Sequence, residues 1–310
     1  RCIFLLVNEL RDQTASLGGL PFQRVYFFDR TMKSLITITC TILFCNGCST
    51  SIEQASLGGF EPNLSQQNVK SASIDSELEA FLDNKFRAEA GEPLAQTKTA
   101  DNYATGRGVP VNFQEAVKWY RKAAEQNEPR AQYNLGYMYY NSEALPRDYK
   151  KAVYWFTKAA EQGNSGAQCN LGLMYENGEG VEENNEIAVK WFRKAAVQGE
   201  PMAQFNMGWM YENGTGVQKN ASKALEWYRK ASFSGHIEAP SFVAILYDAG
   251  NGVKMDKIAA YAWWLIGAKR GDEAPLNNLD FLETKLTAQQ IKIAKGLAAQ
   301  LEKEMATGKP

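Results

Sequence analysis

The stretch Ala167-Gln-Cys-Asn-Leu-Gly-Leu-Met-Tyr175, continued by Gly178-Glu-Gly180-Val181 and closed by Ala188-Val-Lys-Trp191-Phe-Arg-Lys-Ala-Ala196, decides the fold, because it recurs at a fixed interval. Trp119, Trp155, Trp191, Trp227 and Trp263 stand 36 residues apart, as do Tyr103, Tyr139, Tyr175, Tyr211 and Tyr247, and Ala116, Ala152, Ala188, Ala224 and Ala260. A constant period in this range means stacked supersecondary units, each unable to bury its apolar face alone.

Within one unit the spacing predicts two helices and a tight turn. Ala167, Leu171, Met174 and Tyr175 fall on one stripe of a first helix, with Gly172 at its edge where a neighbouring helix can approach closely. The Asn177-Gly178-Glu179-Gly180-Val181 stretch ends it, glycine accepting the positive φ of a helix C-terminus. Val181 is expected to plug the core. Ala188, Trp191, Phe192 and Ala195 form the buried face of a second helix, with Lys190, Arg193 and Lys194 outward and Gln198-Gly199 as its end. The expected architecture is all-α, a right-handed α/α superhelix of five 36-residue helix-turn-helix repeats at 95–130, 131–166, 167–202, 203–238 and 239–274. Helical caps close both ends.

These residues resemble the SEL-one-like repeat family, relatives of the tetratricopeptide repeat, in bacterial secreted or lipoprotein form. The motif is Ala-Gln-x-Asn-Leu-Gly-x-Met-Tyr, then Gly-x-Gly-Val, then Ala-x-x-Trp-Phe/Tyr-x-Lys-Ala-Ala-x-Gln-Gly. Two copies depart from it. Ser142-Glu-Ala144-Leu145 replaces the glycine loop of the second, so a different turn is expected there, and Lys98-Thr99-Ala100 replaces Asn-Leu-Gly in the first, as suits an end unit.

Upstream of the array, Met32-Lys33 and the apolar run to Cys45 have the form of a secretion signal over 32–47, too short to span a bilayer. Residues 1–31 then read as an upstream extension outside the native protein. Cys48, after Asn46-Gly47, is similar to the lipidated first residue of a bacterial lipoprotein, with simple cleavage as the alternative. The Ser-, Gln- and Asn-rich residues 48–73 read as a flexible tether, and the protein is expected to be periplasmic and membrane-anchored. Leu78, Phe81, Leu82 and Phe86 recur at helical spacing and Gly91 stops them, giving an N-terminal capping helix over 74–94. At the other end, a helix through Leu279 and Leu282 and a capping box Thr287-Ala-Gln-Gln290 opening a last helix give a C-terminal cap over 275–310.

Composition narrows the chemistry. The formal net charge of −1 draws the chain neither to nucleic acid nor to acidic lipid. His236 is the single histidine, which argues against His-based metal sites and general-base catalysis. Cys2, Cys40, Cys45 and Cys48 lie before the array and only Cys169 within it, so the repeats are not stapled by disulfides. The paired glycines recur with the period and lack the strand and third glycine of a phosphate-binding fingerprint, so they read as turns. No metal, cofactor or catalytic site is expected.

The functional expectation rests on the first helices. Their third, seventh and tenth positions lie roughly opposite the buried stripe: Tyr133, Tyr137 and Tyr140 in the second copy, Cys169, Leu173 and Glu176 in the third, Phe205, Trp209 and Glu212 in the fourth. A solvated face should be polar, yet this row is rich in aromatics. By the tetratricopeptide resemblance, first helices line a concave groove, where aromatic anchors hold a peptide and Asn134, Asn170 and Asn206 hydrogen-bond its backbone. The alternative is that the aromatics pack on the next repeat. Lys118, Arg121, Arg193, Lys194, Arg229 and Lys230 read as a solvated convex face. The expected role is a monomeric, non-catalytic scaffold for a protein or peptide partner. A cell-wall hydrolase and a structural spacer remain as alternatives; the β-lactam-binding relatives behind the former carry paired cysteines that this array lacks.

Overall fold

The structure, a computed structural model, describes residues 64–141 and 145–307, with side chains in the first helix described from Ser76 onward. The described residues belong to one compact unit, Asn63–Pro310, and form thirteen helices with no strand among them. After α1 (Leu64–Glu89) come five pairs: α2 (Pro93–Thr105) with α3 (Phe113–Glu125), α4 (Pro129–Asn141) with α5 (Tyr149–Glu161), α6 (Ser165–Asn177) with α7 (Asn185–Val197), α8 (Pro201–Asn213) with α9 (Ala221–Phe233), and α10 (Ala239–Ala249) with α11 (Lys257–Lys269). Two further helices follow, α12 (Leu276–Glu283) and α13 (Ala288–Thr307). Along the array each helix packs on the one before it and the one after it, the arrangement of a solenoid.

Helix ends are fixed by the same residue in each copy. Asn112, Asp148, Asn184, Asn220 and Asp256 cap the second helices, each side chain accepting a backbone N–H of the first turn. Such caps contribute about 1 kcal/mol apiece. The backbone N–H of the same residue donates to the carbonyl of the periodic tyrosine, at 2.8 Å from Asn184 to Tyr175 and 2.8 Å from Asn220 to Tyr211, which closes the turn between the two helices. Gly180, with φ of +74°, must be glycine twice over: its backbone is left-handed, and a Cβ would sit 2.5 Å from the Tyr149 carbonyl carbon of the previous repeat.

The core between paired helices is built of rings against small residues. Phe156, Phe192 and Tyr228 are fully buried, each lying over the helical glycine of its own repeat, Gly136, Gly172 or Gly208. A Cβ at Gly172 or Gly208 would come within 2.6 Å of the opposing ring. A ladder of glutamines joins the repeats. Gln168 on α6 donates to the Ala160 carbonyl at the end of α5 (2.9 Å) and accepts from Gln198 at the end of α7 (2.7 Å), so one side chain fastens three helices. Gln96 with Gln126, and Gln132 with Gln162, repeat the arrangement. Gln204 still reaches the Ala196 carbonyl (3.1 Å), but Ser234 stands where the next glutamine would be, and the Gln204 Oε1 has no partner.

The ends differ from the expectation. The N-terminal helix runs from Leu64 to Glu89 rather than over 74–94, so residues 64–73, read as tether, are helical. Leucine, glutamine, lysine and alanine are competent helix formers, and lengthening an existing helix avoids the cost of a new nucleus. Of the apolar stripe expected to face the array, only Phe81 is buried, edge-on to Tyr103 at 5.4 Å; Leu78, Leu82 and Phe86 point outward. The helix docks through Phe81 and Ala88, which puts Leu82 and Phe86 where the first repeat carries Lys118 and Lys122. The expected extension, signal and Cys48 lie outside the described residues, as does the variant turn at Ser142–Ala144. At the far end Thr287 and Gln290 exchange capping hydrogen bonds (Thr287 N–H to Gln290 Oε1, 2.9 Å), and α13 buries Ala294, Ala298, Leu301 and Met305 against α11.

Two stability tests follow from this packing. Gly208→Ala drives a methyl into the Tyr228 ring and should lower unfolding free energy by about 1–3 kcal/mol in urea titrations, whereas Gly296→Ala, in α13 with nothing within 4 Å of the added Cβ, should raise it by about 0.5–1 kcal/mol. Gln132→Ala removes a fully buried rung and should cost about 1–3 kcal/mol; an unchanged denaturation midpoint would show that the ladder does not hold the stack.

Candidate interaction face

The structure divides the first-helix row into three different environments. Third-position side chains lie in the seams between repeats, three of them against a residue just ahead of the next helix. Thr97 donates to Glu128 (2.7 Å), the Phe205 ring stacks on His236 at 4.3 Å with the planes nearly parallel, and Ser241 donates to Asp272 (2.5 Å). Tyr133 packs on Phe156 at 5.9 Å, and Cys169 is a buried free thiol whose pKa burial pushes up to about 12. Phe205 also meets Tyr228 and Phe242 at 5.3 and 4.9 Å. Tyr133 and Phe205 are therefore half-buried joint residues. Burial also holds His236 down near pKa 4, a neutral ring suited to stacking.

Seventh-position side chains behave otherwise. Tyr137 is 44% exposed, Leu173 and Trp209 are partly exposed, and Ile245, at the same position of the fifth copy, is 43% exposed. The first copy places Asp101 there. Beside Tyr137 lies a cavity of about 200 Å³ walled by Ala104, Phe113, Asn134, Met138 and Asn141, with Tyr120 also in its lining. Asp101 organises this end of the face: it accepts from the Tyr120 hydroxyl (2.6 Å) and the Asn134 amide (3.3 Å) and pairs with Arg130. Burial, reinforced by Asp101, raises the Tyr120 pKa and keeps the phenol a donor.

At the tenth position Tyr140 packs on Tyr149 at 5.6 Å, and burial with Glu179 beside it pushes its pKa up to about 12. The next three copies carry Glu176, Glu212 and Asp248. Burial, with Glu183 nearby, raises Glu176 to about 7, and Glu212 accepts from the Tyr228 hydroxyl at 2.7 Å. The three asparagines do not share one role. Asn134 is bound to Asp101, Asn170 reaches the Tyr133 hydroxyl, and Asn206 has a buried Nδ2 with no partner.

The second-helix basic residues are less free than a solvated face implies. Lys122, Lys194 and Lys230 sit over the rings of Trp119, Trp191 and Trp227 at 4.3, 4.0 and 4.4 Å, one helical turn away. Arg121 and Arg193 donate to the hydroxyls of Tyr139 and Tyr211 in the following repeat. The two arginines help to join repeats. Among the described residues no group of three or more His, Cys, Asp or Glu is placed to hold a metal ion, and no helix is long and apolar enough to cross a membrane.

Asp101, Ile245 and Asp248 did not stand out in the sequence. Carrying the 36-residue step through to the two end copies would have found all three. What hid them was chemistry: an aromatic row draws the eye, and neither Asp101 nor Ile245 continues it.

Comparison with known proteins gives the array a family. The Sel1 repeat matches residues 93–128, 129–164, 165–200, 201–236 and 239–272, a frame opening two residues before the one taken from the sequence in the first four copies and at the same residue in the fifth. Among solved structures, a protective antigen of uropathogenic Escherichia coli with an SLR fold is 35% identical with a TM-score of 0.65; the match covers 71% of this chain and 48% of that one, so the chain spans about half its length. A Sel1 repeat protein from Oxalobacter formigenes is 30% identical with a TM-score of 0.59, over 68% of this chain and 89% of that one. A search of curated proteins finds no match. With five consecutive repeats in register and the same stacked helix pairs, the chain belongs to the Sel1 repeat family.

Proposed function

We propose that the protein is a non-catalytic interaction scaffold that holds a polypeptide partner along the face formed by its first helices, as befits a family whose repeats generally serve protein–protein interaction. The observation that carries the reading is the seventh-position row. Tyr137, Leu173, Trp209 and Ile245 stand at one interval and keep apolar surface in solvent, while their third-position neighbours are spent on packing. Apolar side chains on a regular repeat, with a small cavity beside the first of them, supply anchor positions for an extended segment.

Tyr137→Ser and Ile245→Ser test this cleanly, because both side chains are more than two-fifths exposed and their loss should alter stability by no more than about 0.5 kcal/mol. The double variant should keep the native helicity and melting profile yet lose captured partners by about tenfold or more in affinity, the scale of one anchor contact. Equal capture by both proteins would move binding off this face.

The same proposal places the array outside the cytoplasm, held by lipid on Cys48, on the strength of the Met32–Cys48 pattern. Fatty-acid labelling in a bacterial host should mark the native protein and not Cys48→Ser; labelling of neither would remove the lipid anchor from the reading.

A further inference from the structure

The charge on the proposed binding face is segregated, and this bears on what the face accepts. Helices α6, α8 and α10, the first helices of the last three repeats, contain Glu176, Glu212 and Asp248 and not one lysine or arginine. Their partner helices α7, α9 and α11 hold the basic residues, including Lys190, Arg193, Lys223, Arg229, Lys257 and Lys269. Each acid follows an outward apolar residue by three positions: Leu173 and Glu176, Trp209 and Glu212, Ile245 and Asp248. Residues so spaced share a helix face about 5–6 Å apart. The last three repeats therefore present an apolar residue with a carboxylate beside it, three times over.

These carboxylates are incompletely neutralised. Glu176 has no hydrogen-bond partner among the described residues, and its neighbour Glu183 is another acid. Glu212 takes one hydrogen bond, from a neutral tyrosine. Asp248 is ion-paired to Lys257 of its own repeat at 3.7 Å, but its buried Oδ1 accepts no hydrogen bond. The first copy shows what a carboxylate on this face accepts when a cation is at hand: Asp101, at the seventh position, holds the Arg130 guanidinium together with the Tyr120 hydroxyl.

From this we infer that the groove takes a cationic, apolar polypeptide segment, one whose leucine-like side chains lie on Leu173, Trp209 and Ile245 while its lysines or arginines reach Glu176, Glu212 and Asp248. An acidic segment is rejected there, because a like charge beside a half-buried carboxylate carries a desolvation cost without a partner. The inference rests on the first-helix face being the binding face. It adds the sign of the ligand's charge, the end of the array that reads it and the residues responsible.

A random peptide library displayed on phage, selected on the full-length protein, tests it whatever the partner's identity. Three parallel selections are needed: the native protein, Glu176→Gln/Glu212→Gln/Asp248→Asn, and Leu173→Ser/Trp209→Ser, each first matched to the native circular dichroism and melting profile. Peptides enriched by the native protein should carry an excess of Lys and Arg with interspersed apolar residues, and bind the triple amide variant about tenfold or more weakly in fluorescence anisotropy, with affinity falling as salt is added. Enriched peptides that are neutral or acidic, yet depend on Leu173 and Trp209, would overturn the charge preference and leave the groove standing. Enrichment indifferent to both variants, or none at all, would overturn the charge preference and the groove together.

Discussion

The stack depends on a buried amide held between two other groups. Gln132 and Gln168 each give their N–H to a carbonyl at the end of the preceding second helix and take an N–H from the glutamine that ends their own repeat. One rung thus fixes the preceding second helix, the first helix and the following second helix at once. A hydrogen bond sealed from water is costly to break without replacement, so the rung specifies relative position where alanine-rich contact surfaces alone would tolerate sliding. The ladder ends where the chain changes. Pro240 replaces the next glutamine, Ser234 replaces the next donor, and Arg270 takes over by donating to the Ser232 carbonyl at 2.7 Å. From that point the fifth repeat is joined on one side by Arg270 and on the other by the long cap helix α13.

Around this frame the first helices divide their outward positions between holding and presenting. The third position belongs to the seam: hydrogen bonds from Thr97 and Ser241, rings from Tyr133 and Phe205, a buried thiol from Cys169. Chemistry varies there because only complementarity with the neighbouring repeat is required, and His236 on Phe205 shows how far it can drift. The seventh position is one helical turn further on and clears the seam, so its side chains are free to be apolar without being needed for packing. A rigid row of this kind is a ready surface for a partner, since little side-chain or backbone freedom is lost when one docks.

The two ends of that row differ electrostatically. Near the N-terminus the single acid, Asp101, is already committed to Arg130, Tyr120 and Asn134, and its surroundings are tyrosines. Toward the C-terminus the acids are underpartnered, and burial, with Glu183 nearby, raises the Glu176 pKa to about 7. Lys194 and Lys230 meanwhile sit over tryptophans and Arg193 binds the Tyr211 hydroxyl of the next repeat, so these cations stabilise the array; Asp248 alone of the three acids meets a second-helix cation, Lys257 at 3.7 Å.

The period alone determined that there would be five helix pairs and that Phe192 and its equivalents Phe156 and Tyr228 lie inside, because each copy must bury the same stripe against the next, while Trp191, read on the same face, is only half-buried. The glutamines were visible in the repeated motif, but their function was not, since a polar residue on an apolar stripe declares its role only when its partners on two other helices are known. Likewise the spacing of Tyr133, Tyr137 and Tyr140 showed an aromatic face without saying which rings stay in solvent. That was decided by how successive repeats pack, which puts the third position in the seam and leaves the seventh outside it. The N-terminal helix makes the same point. Leu78, Phe81, Leu82 and Phe86 all fit one helical pattern, yet only docking through Phe81 and Ala88 determines that Phe81 is covered and the others are not, because a helix offers several apolar edges and the partner surface selects one.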